Sequence, residues 1–258
     1  MGRLQQTLAG VSSETGTENG RVGIIGGTVE YPNQPALVAQ AALRTGSDHV
    51  RALVPEEIYG IVAGHSPNVL VSRYPDERFT GNALEQARKL GGWADALVIG
   101  PGLVEAERDA VQATIAETDV PIVVDALAIE PALEADLSRA VLTPSEAEDD
   151  PIRETYGSLE AFSAETGAVL TLTGTVDEIV ASGERSQNET GTSALTVAGT
   201  GDTLAGITVS LLGQGMARDE AAELAAWVLG KTGELATADK GPGVVATDVI
   251  ERIPDTIR

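Results

Sequence analysis

Near the carboxyl end of this 258-residue chain, Gly199-Thr200-Gly201-Asp202 opens an apolar run beginning Thr203-Leu204-Ala205-Gly206. Two glycines flanking Thr200 let backbone N–H groups approach a ligand with no Cβ in the way. Those groups, with the positive end of a following helix, make an anion site. Asp202 gives the turn its chemical interest. A carboxylate beside a phosphate is repulsive unless it takes a proton from an attacking hydroxyl or works alongside a metal. That combination suits phosphoryl transfer to an alcohol. The same residues also suit an ordinary helix start with Asp202 as N-cap, and on spacing alone the cap reading has the advantage.

Other candidates sit where apolar runs end. Gly26-Gly27 is either a tight strand-to-helix turn or a ligand wall, and it lacks the full Gly-x-Gly-x-x-Gly fingerprint. Gly100-Pro101-Gly102 follows a strand, where a turn is expected anyway, yet carboxyl ends of strands are also where open α/β sheets bind ligands. Asp125 ends a strand and either caps the next helix or touches Mg²⁺. Glu148 lies in the acidic run 146–150, which reads as a solvated face more readily than as a metal site. His49 falls in a strand and His65 in a loop, with nothing pairing them. Trp93 and Trp227 read as core residues.

The elements that must position these groups repeat regularly. Short apolar runs at 22–25, 49–54, 69–71, 96–99, 122–124, 140–142 and 169–172 alternate with helix candidates at 35–44, 81–90, 106–117 and 159–166. Strand-helix-strand repetition predicts an α/β fold with a mostly parallel sheet and helices on both faces. Segments 178–182 and 185–188 flank Gly183-Glu184 and predict an edge β-hairpin. Helices are then expected over 203–212, 219–236 and 247–253. Residues 1–20 read as a flexible N-terminal arm, and 21–258 as a single domain without linkers or repeats.

Composition narrows the function classes. Asp and Glu total 39 against 17 Lys and Arg, a formal net charge of -22, with only three lysines (Lys89, Lys231, Lys240). Such a surface repels phosphate backbones, which argues against a nucleic-acid partner. The acids are dispersed, as in Glu105-Ala106-Glu107-Arg108-Asp109, and read as adaptation to high salt, where screening removes the self-repulsion. Aromatics are only 3%, so small and β-branched side chains must do most of the packing. With no cysteine, disulfides and thiolate metal sites are excluded. No apolar run approaches the roughly 20 residues of a membrane span, and the N-terminus is not a secretory signal. A cytoplasmic protein is expected.

Taken together, the motifs resemble the ADP- or ATP-dependent NAD(P)H-hydrate dehydratases of the ribokinase-like superfamily. Residues 199–206, then Leu211-Leu212-Gly213-Gln214-Gly215 and Glu220-Ala221-Ala222, resemble the family's C-terminal signature. Residues 21–28 resemble its opening strand and Gly-Gly-Ser turn. Tyr31, residues 41–46, Ile99-Gly100-Pro101-Gly102-Leu103, Val124-Asp125-Ala126 and Leu142-Thr143-Pro144 follow in the family order. The resemblance implies a ribokinase-like three-layer α/β/α sandwich and a homo-oligomer. It also implies a nicotinamide-repair reaction, formally a carbon–oxygen lyase. ATP or ADP phosphorylates the hydroxyl of the hydrated ring with Asp202 as base, and loss of phosphate restores NADH or NADPH. Thr173, Gly174, Thr175, Gly199, Thr200 and Gly201 would hold the nucleotide phosphates with Mg²⁺, and Glu148 would be a metal ligand. Gly27, Thr28, Tyr31, Gln34, Gly100, Gly102, Asp125 and Ser145 would line the substrate.

The chain also departs from the family pattern. Asn33 and Gln34 stand where Gly-Ala is usual, Val104 closes the Gly-Pro-Gly loop, and Ser145 replaces a histidine. Thr173 replaces a lysine, and Leu127 an aspartate. A small-molecule kinase on the same fold and a non-catalytic nucleotide-binding paralogue are therefore the alternatives.

Overall fold

Side chains of successive strand residues feed two separate cores. The computed structural model describes residues 19–257; apart from Asn19 and Gly20, the expected arm lies outside the described residues. The strands are β1 (Arg21–Ile25), β2 (His49–Pro55), β3 (Val69–Tyr74), β4 (Ala96–Ile99), β5 (Ile122–Val124), β6 (Ala140–Leu142), β7 (Val169–Leu172), β8 (Asp177–Ala181) and β9 (Glu184–Asn188). They form one sheet in the order β3-β2-β1-β4-β5-β6-β7-β8-β9. β1 through β7 are parallel, and β8 and β9 add an antiparallel hairpin at one edge.

Val22, Ile24, Val98, Val123 and Val141 point into one core, whereas Ile25, Leu97, Ile99, Val124 and Leu142 point into the other. This period-two alternation, with both faces buried, is why the strands read as continuous apolar runs.

Among the described residues the α-helices are α1 (Gln34–Arg44), α2 (Tyr59–His65), α3 (Leu84–Gly91), α4 (Arg108–Ala116), α5 (Ile129–Ala132), α6 (Asp150–Tyr156), α7 (Leu159–Thr166), α8 (Thr200–Gly213), α9 (Arg218–Lys240) and α10 (Ala246–Thr256). α1, α8, α9 and α10 close the first core, and α3, α4 and α7 the second. The expected three-layer α/β/α sandwich is the fold observed. The apolar stretch 221–229 of α9 is largely buried within the monomer core. Among the described residues no helix is long and apolar enough to cross a membrane.

Several local expectations change. The hairpin turns at Ser182-Gly183 rather than Gly183-Glu184, both with positive φ (53° and 79°), because that two-residue turn matches the strand twist. α8 starts one turn earlier than its apolar residues suggest, so Asp202 is not the N-cap; Gly199 is. The acidic run is not simply a solvated face. Asp149 is buried, and its Oδ2 accepts from Arg153 Nε at 2.6 Å. His65 ends α2 rather than lying unpaired in a loop, and its Nε2 shares a hydrogen bond with Asn33 Oδ1 at 3.0 Å. Trp93 and Trp227 sit half-buried at the margins of the cores, and the Arg51 guanidinium lies 4.3 Å from the Trp93 ring centroid. α2, α5 and α6 were not anticipated, being too short to show a helical period.

Candidate functional site

Because β1 and β4 to β7 are parallel, their carboxyl ends share one edge, where an open α/β sheet gathers ligand-binding loops. Gly27-Thr28 leaves β1, Gly100-Pro101-Gly102 leaves β4, Asp125 leaves β5, Thr143-Pro144-Ser145 leaves β6, and Thr173-Gly174 leaves β7. Loops far apart in sequence are thus brought together by sheet geometry.

The amino end of α8 reaches the same edge. Gly199 is its N-cap, with φ 96°. A Cβ there would lie 2.8 Å from Leu37 Cδ1 on α1 and 2.9 Å from Ala246 Cβ on α10. Only glycine satisfies both the left-handed backbone and the close packing. The Thr200 hydroxyl donates inward, to Leu195 O at 2.7 Å and Val197 O at 2.9 Å, and Thr203 Oγ1 donates to Gly199 O at 2.8 Å. These bonds fix the turn. No side chain caps the helix, and the first N–H groups of an α-helix have no intrahelical acceptor. Gly201 is exposed, and a Cβ on it would meet nothing within 4 Å. The turn is therefore an uncapped helix start with open space at Gly201 and a half-buried Asp202 next to it.

Asp202 does not stand alone. Burial pushes its carboxyl up to about 8, and the neighbouring charges of Asp125 and Glu148 add to the shift. Burial likewise pushes Asp125 up to about 7, opposed by a hydrogen bond from Thr143 and reinforced by Glu148. The register Val124↔Leu142 and Leu142↔Leu170 sets Asp125, Thr143 and Thr171 in a row across β5, β6 and β7. Thr143 Oγ1 donates to Asp125 Oδ1 at 2.7 Å, while the buried Thr171 Oγ1 has no hydrogen-bond partner. Three carboxylates thus share one field, and the charges acting on Asp125 and Asp202 are acidic.

The loops after β1 and β4 interlock. Thr28 is fully buried, and its hydroxyl donates to Gly102 O at 3.0 Å. The Gly27 N–H donates to Pro101 O at 2.8 Å. Gly100, at φ 128°, leaves no room for a side chain against the Asp125 carbonyl. Tyr31 is 48% exposed and its backbone lies over Gly102, where a Cβ would come 2.8 Å from Tyr31 O. Gln34, first in α1, keeps a buried Oε1 without a partner. These residues line the carboxyl edge of the sheet, and α1, which Gln34 begins, packs against the α8 turn where Leu37 meets Gly199.

Other expected residues are occupied internally. The Thr173 N–H donates to Pro144 O at 3.0 Å and the Gly174 N–H to Asp177 Oδ1 at 3.2 Å, so neither amide is free for a phosphate. Thr175 is exposed on the turn into β8. The Ser145 N–H and hydroxyl both donate to Glu148 Oε2, at 2.9 and 2.7 Å. Among the described residues no group of three His, Asp or Glu side chains could hold a metal ion. In the sequence Thr143 stood out only as part of Leu142-Thr143-Pro144; directly after an apolar run it looks like turn punctuation, and only register places it beside Asp125.

A family model described as NAD(P)H-hydrate dehydratase matches residues 22–255. The chain is 71% identical over 258 residues, 100% of both chains, to the ADP-dependent (S)-NAD(P)H-hydrate dehydratase of Haloterrigena turkmenica. A ribokinase-like superfamily protein of Enterococcus faecalis superposes with a TM-score of 0.84 at 21% identity, covering 98% of this chain and 93% of that one. The ADP/ATP-dependent NAD(P)H-hydrate dehydratase of Bacillus subtilis, co-crystallised with ATP/Mg²⁺, gives 0.77 at 21% identity, with 98% and 95% covered. At that identity the two structures establish a ribokinase-like fold.

Proposed function

The chain belongs to the NAD(P)H-hydrate dehydratase family, and from that premise we propose that it removes water from hydrated NADH or NADPH, using ADP or ATP, with Asp202 as general base. The observation that carries this reading is the pairing of a half-buried carboxyl with the uncapped first turn of α8, at which Gly201 is exposed with open space beside its Cα.

Hydroxide is a poor leaving group, and phosphorylation makes the ring oxygen a good one. Asp202 accepts the proton of the substrate hydroxyl as that oxygen attacks the terminal phosphoryl group. The N–H groups of Thr200 and Gly201 stabilise the charge on the transferring phosphoryl. The nucleotide departs one phosphate shorter. The carbon–oxygen bond then breaks, inorganic phosphate leaves, and loss of a ring proton restores the reduced nicotinamide. Tyr31, exposed at the sheet edge, faces the ring, and the buried Thr28, Gly100 and Gly102 shape the wall behind it.

The residues present fit Mg²⁺ delivered with the nucleotide. Mg²⁺ keeps several waters and binds through one or two carboxylates plus phosphates, which agrees with the mutual influence of Asp125, Asp202 and Glu148. Asp125 and Glu148 would hold it through that shell. Bound there it would screen the phosphates and lower the Asp202 carboxyl toward the ionised form a base requires. The substrate places the enzyme where reduced nicotinamides are kept, in the cytoplasm.

Hydrated NADH, ADP and Mg²⁺ in molar KCl provide the test. The near-ultraviolet band of reduced nicotinamide should recover with wild-type protein. Asp202→Asn should lose about 10²- to 10⁴-fold in rate while still binding ADP by calorimetry. A wild type that binds ADP but restores no absorbance, beside an active control enzyme, would overturn this reading; a screen of phosphate transfer to sugars and hydroxymethyl heterocycles would then separate a small-molecule kinase from a non-catalytic nucleotide-binding paralogue.

A further inference from the structure

Three loops meet at the carboxyl edge of the sheet: residues 28–31 after β1, 75–80 after β3, and 100–107 after β4. Arg78 belongs to the middle one and reaches both of the others. Its Nη1 and Nη2 donate to Glu30 Oε2 and Oε1 at 2.9 and 2.8 Å, a two-pronged pairing. Its Nη2 also lies 3.6 Å from Glu105 Oε2.

Glu30 is at the tip of a tight turn closed by the Tyr31 N–H to Thr28 O at 3.1 Å. Glu105 has a left-handed backbone, φ 52°, unusual for a residue with a side chain. Nearby, the Glu107 N–H donates to Phe79 O at 2.9 Å, and the Gly81 N–H donates to Glu107 Oε2 at 2.9 Å. The 75–80 loop is therefore already fastened to the 100–107 loop through backbone, and Arg78 extends the fastening to the Thr28–Tyr31 turn.

We propose that Arg78 is a positioning residue for the repair reaction, holding Tyr31 against Gly102 through Glu30 so that the substrate wall is set before substrate arrives. The proposal rests on the reading of this edge as the hydrated-nicotinamide site. The alternative is a surface ion pair with no role beyond stability. Exposed pairs add little to stability, whereas a planar guanidinium gripping a carboxylate with two parallel bonds fixes orientation. The Arg78 charge also offsets the repulsion between Glu30 and Glu105, two acids that would otherwise push the turn and the loop apart.

Arg78→Gln, Arg78→Lys and wild type separate the possibilities. With saturating ADP and Mg²⁺, Arg78→Gln should raise the KM for hydrated NADH about tenfold, with kcat, ADP affinity by calorimetry and melting temperature nearly unchanged. Arg78→Lys, which can engage only one oxygen at a time, should fall between. Hydrogen exchange in the nucleotide-free protein provides a readout independent of turnover: peptides covering 28–34 should exchange faster in Arg78→Gln, while those covering 199–213 do not. Unchanged exchange at 28–34 overturns the proposal. So does an active Arg78→Gln with wild-type KM, or a parallel loss of ADP affinity and melting temperature. A wild type inactive on hydrated NADH would refute the assignment of the reaction, and with it Arg78's role in that reaction, whatever the exchange data say of the loops.

Discussion

Asp125 and Thr143 stand side by side at the carboxyl ends of β5 and β6, and the Thr143 hydroxyl donates to Asp125 Oδ1 at 2.7 Å. Burial pushes that carboxyl up to about 7 while this hydrogen bond and a backbone one pull it back, so Asp125 sits between its two protonation states near neutrality. Asp202 feels its charge directly. The charge on Asp125 thus adds to burial in holding the Asp202 carboxyl up.

Thr143→Val keeps the volume and removes the donor. The Asp125 carboxyl should titrate above about 7, because the hydrogen bond favours the charged form. Carboxyl carbon chemical shifts followed through a pH titration measure this directly, and an unmoved or lowered midpoint would contradict it. The loss should also cost about 1 kcal/mol of stability at pH 8, where Asp125 is largely ionised.

The raised carboxyls make the stability of the nucleotide-free protein depend on pH. Asp125 and Asp202 lie well above their ordinary range, at about 7 and about 8. Between roughly pH 4 and those values the folded state therefore binds more protons than the unfolded chain. Their contribution to stability is largest below the unfolded value and is lost as pH rises through 7 and 8. Asp202→Asn should accordingly raise the melting temperature at pH 8.5 by about 2 °C or more, with much less effect at pH 4, while cutting turnover about 10²- to 10⁴-fold. Destabilisation by the substitution at pH 8.5 would show that the carboxyl is not held against its charge.

Two glycines in one turn should respond oppositely to alanine. Gly201→Ala adds a methyl that meets nothing within 4 Å, in a helix where alanine is the better former. It should leave melting unchanged or improved, yet weaken ADP binding by about tenfold or more, since the methyl occupies the space a phosphate needs. Gly199→Ala forces a side chain into φ 96° and against Leu37 and Ala246, so it should lower the melting temperature. Differential scanning fluorimetry and calorimetric ADP titration of the two variants decide it; a Gly201→Ala protein that binds ADP like wild type would remove the phosphate role of this turn.

Most strands were legible because burial on both faces leaves an apolar run that polar loops interrupt sharply. β4, β5, β6 and β7 begin and end at the expected residues. Helix starts were less legible. The amino turn of α8 is Thr200-Gly201-Asp202, with no apolar side chain to announce it, so the pattern placed the start at Thr203 and made Asp202 look like a cap. The short helices α2, α5 and α6 carry too few residues for a period. At the site, Gly199 to Asp202, Gly100, Gly102 and Asp125 were all recognisable by residue type and order. The hydrogen bond from Thr143 to Asp125, the closed contacts of Ser145 with Glu148 and the Arg78 clamp were not, because each depends on which loop lies beside which.

By itself the sequence determined the alternation of strands and helices, the dispersed acid that suits high salt, and the phosphate-type turn whose order among other motifs marks the family. These are properties of local pattern, and hydrophobic period, glycine placement and charge count are fixed by neighbours in the chain. Only the tertiary structure decided that Asp202 lies inside the first turn of α8 rather than before it. The same packing placed it within the field of Asp125 and Glu148 and left the space over Gly201 open. Desolvation and Coulomb interaction depend on distance through space, and those distances are set by parallel register and helix packing between residues as far apart in the chain as Asp125 and Asp202.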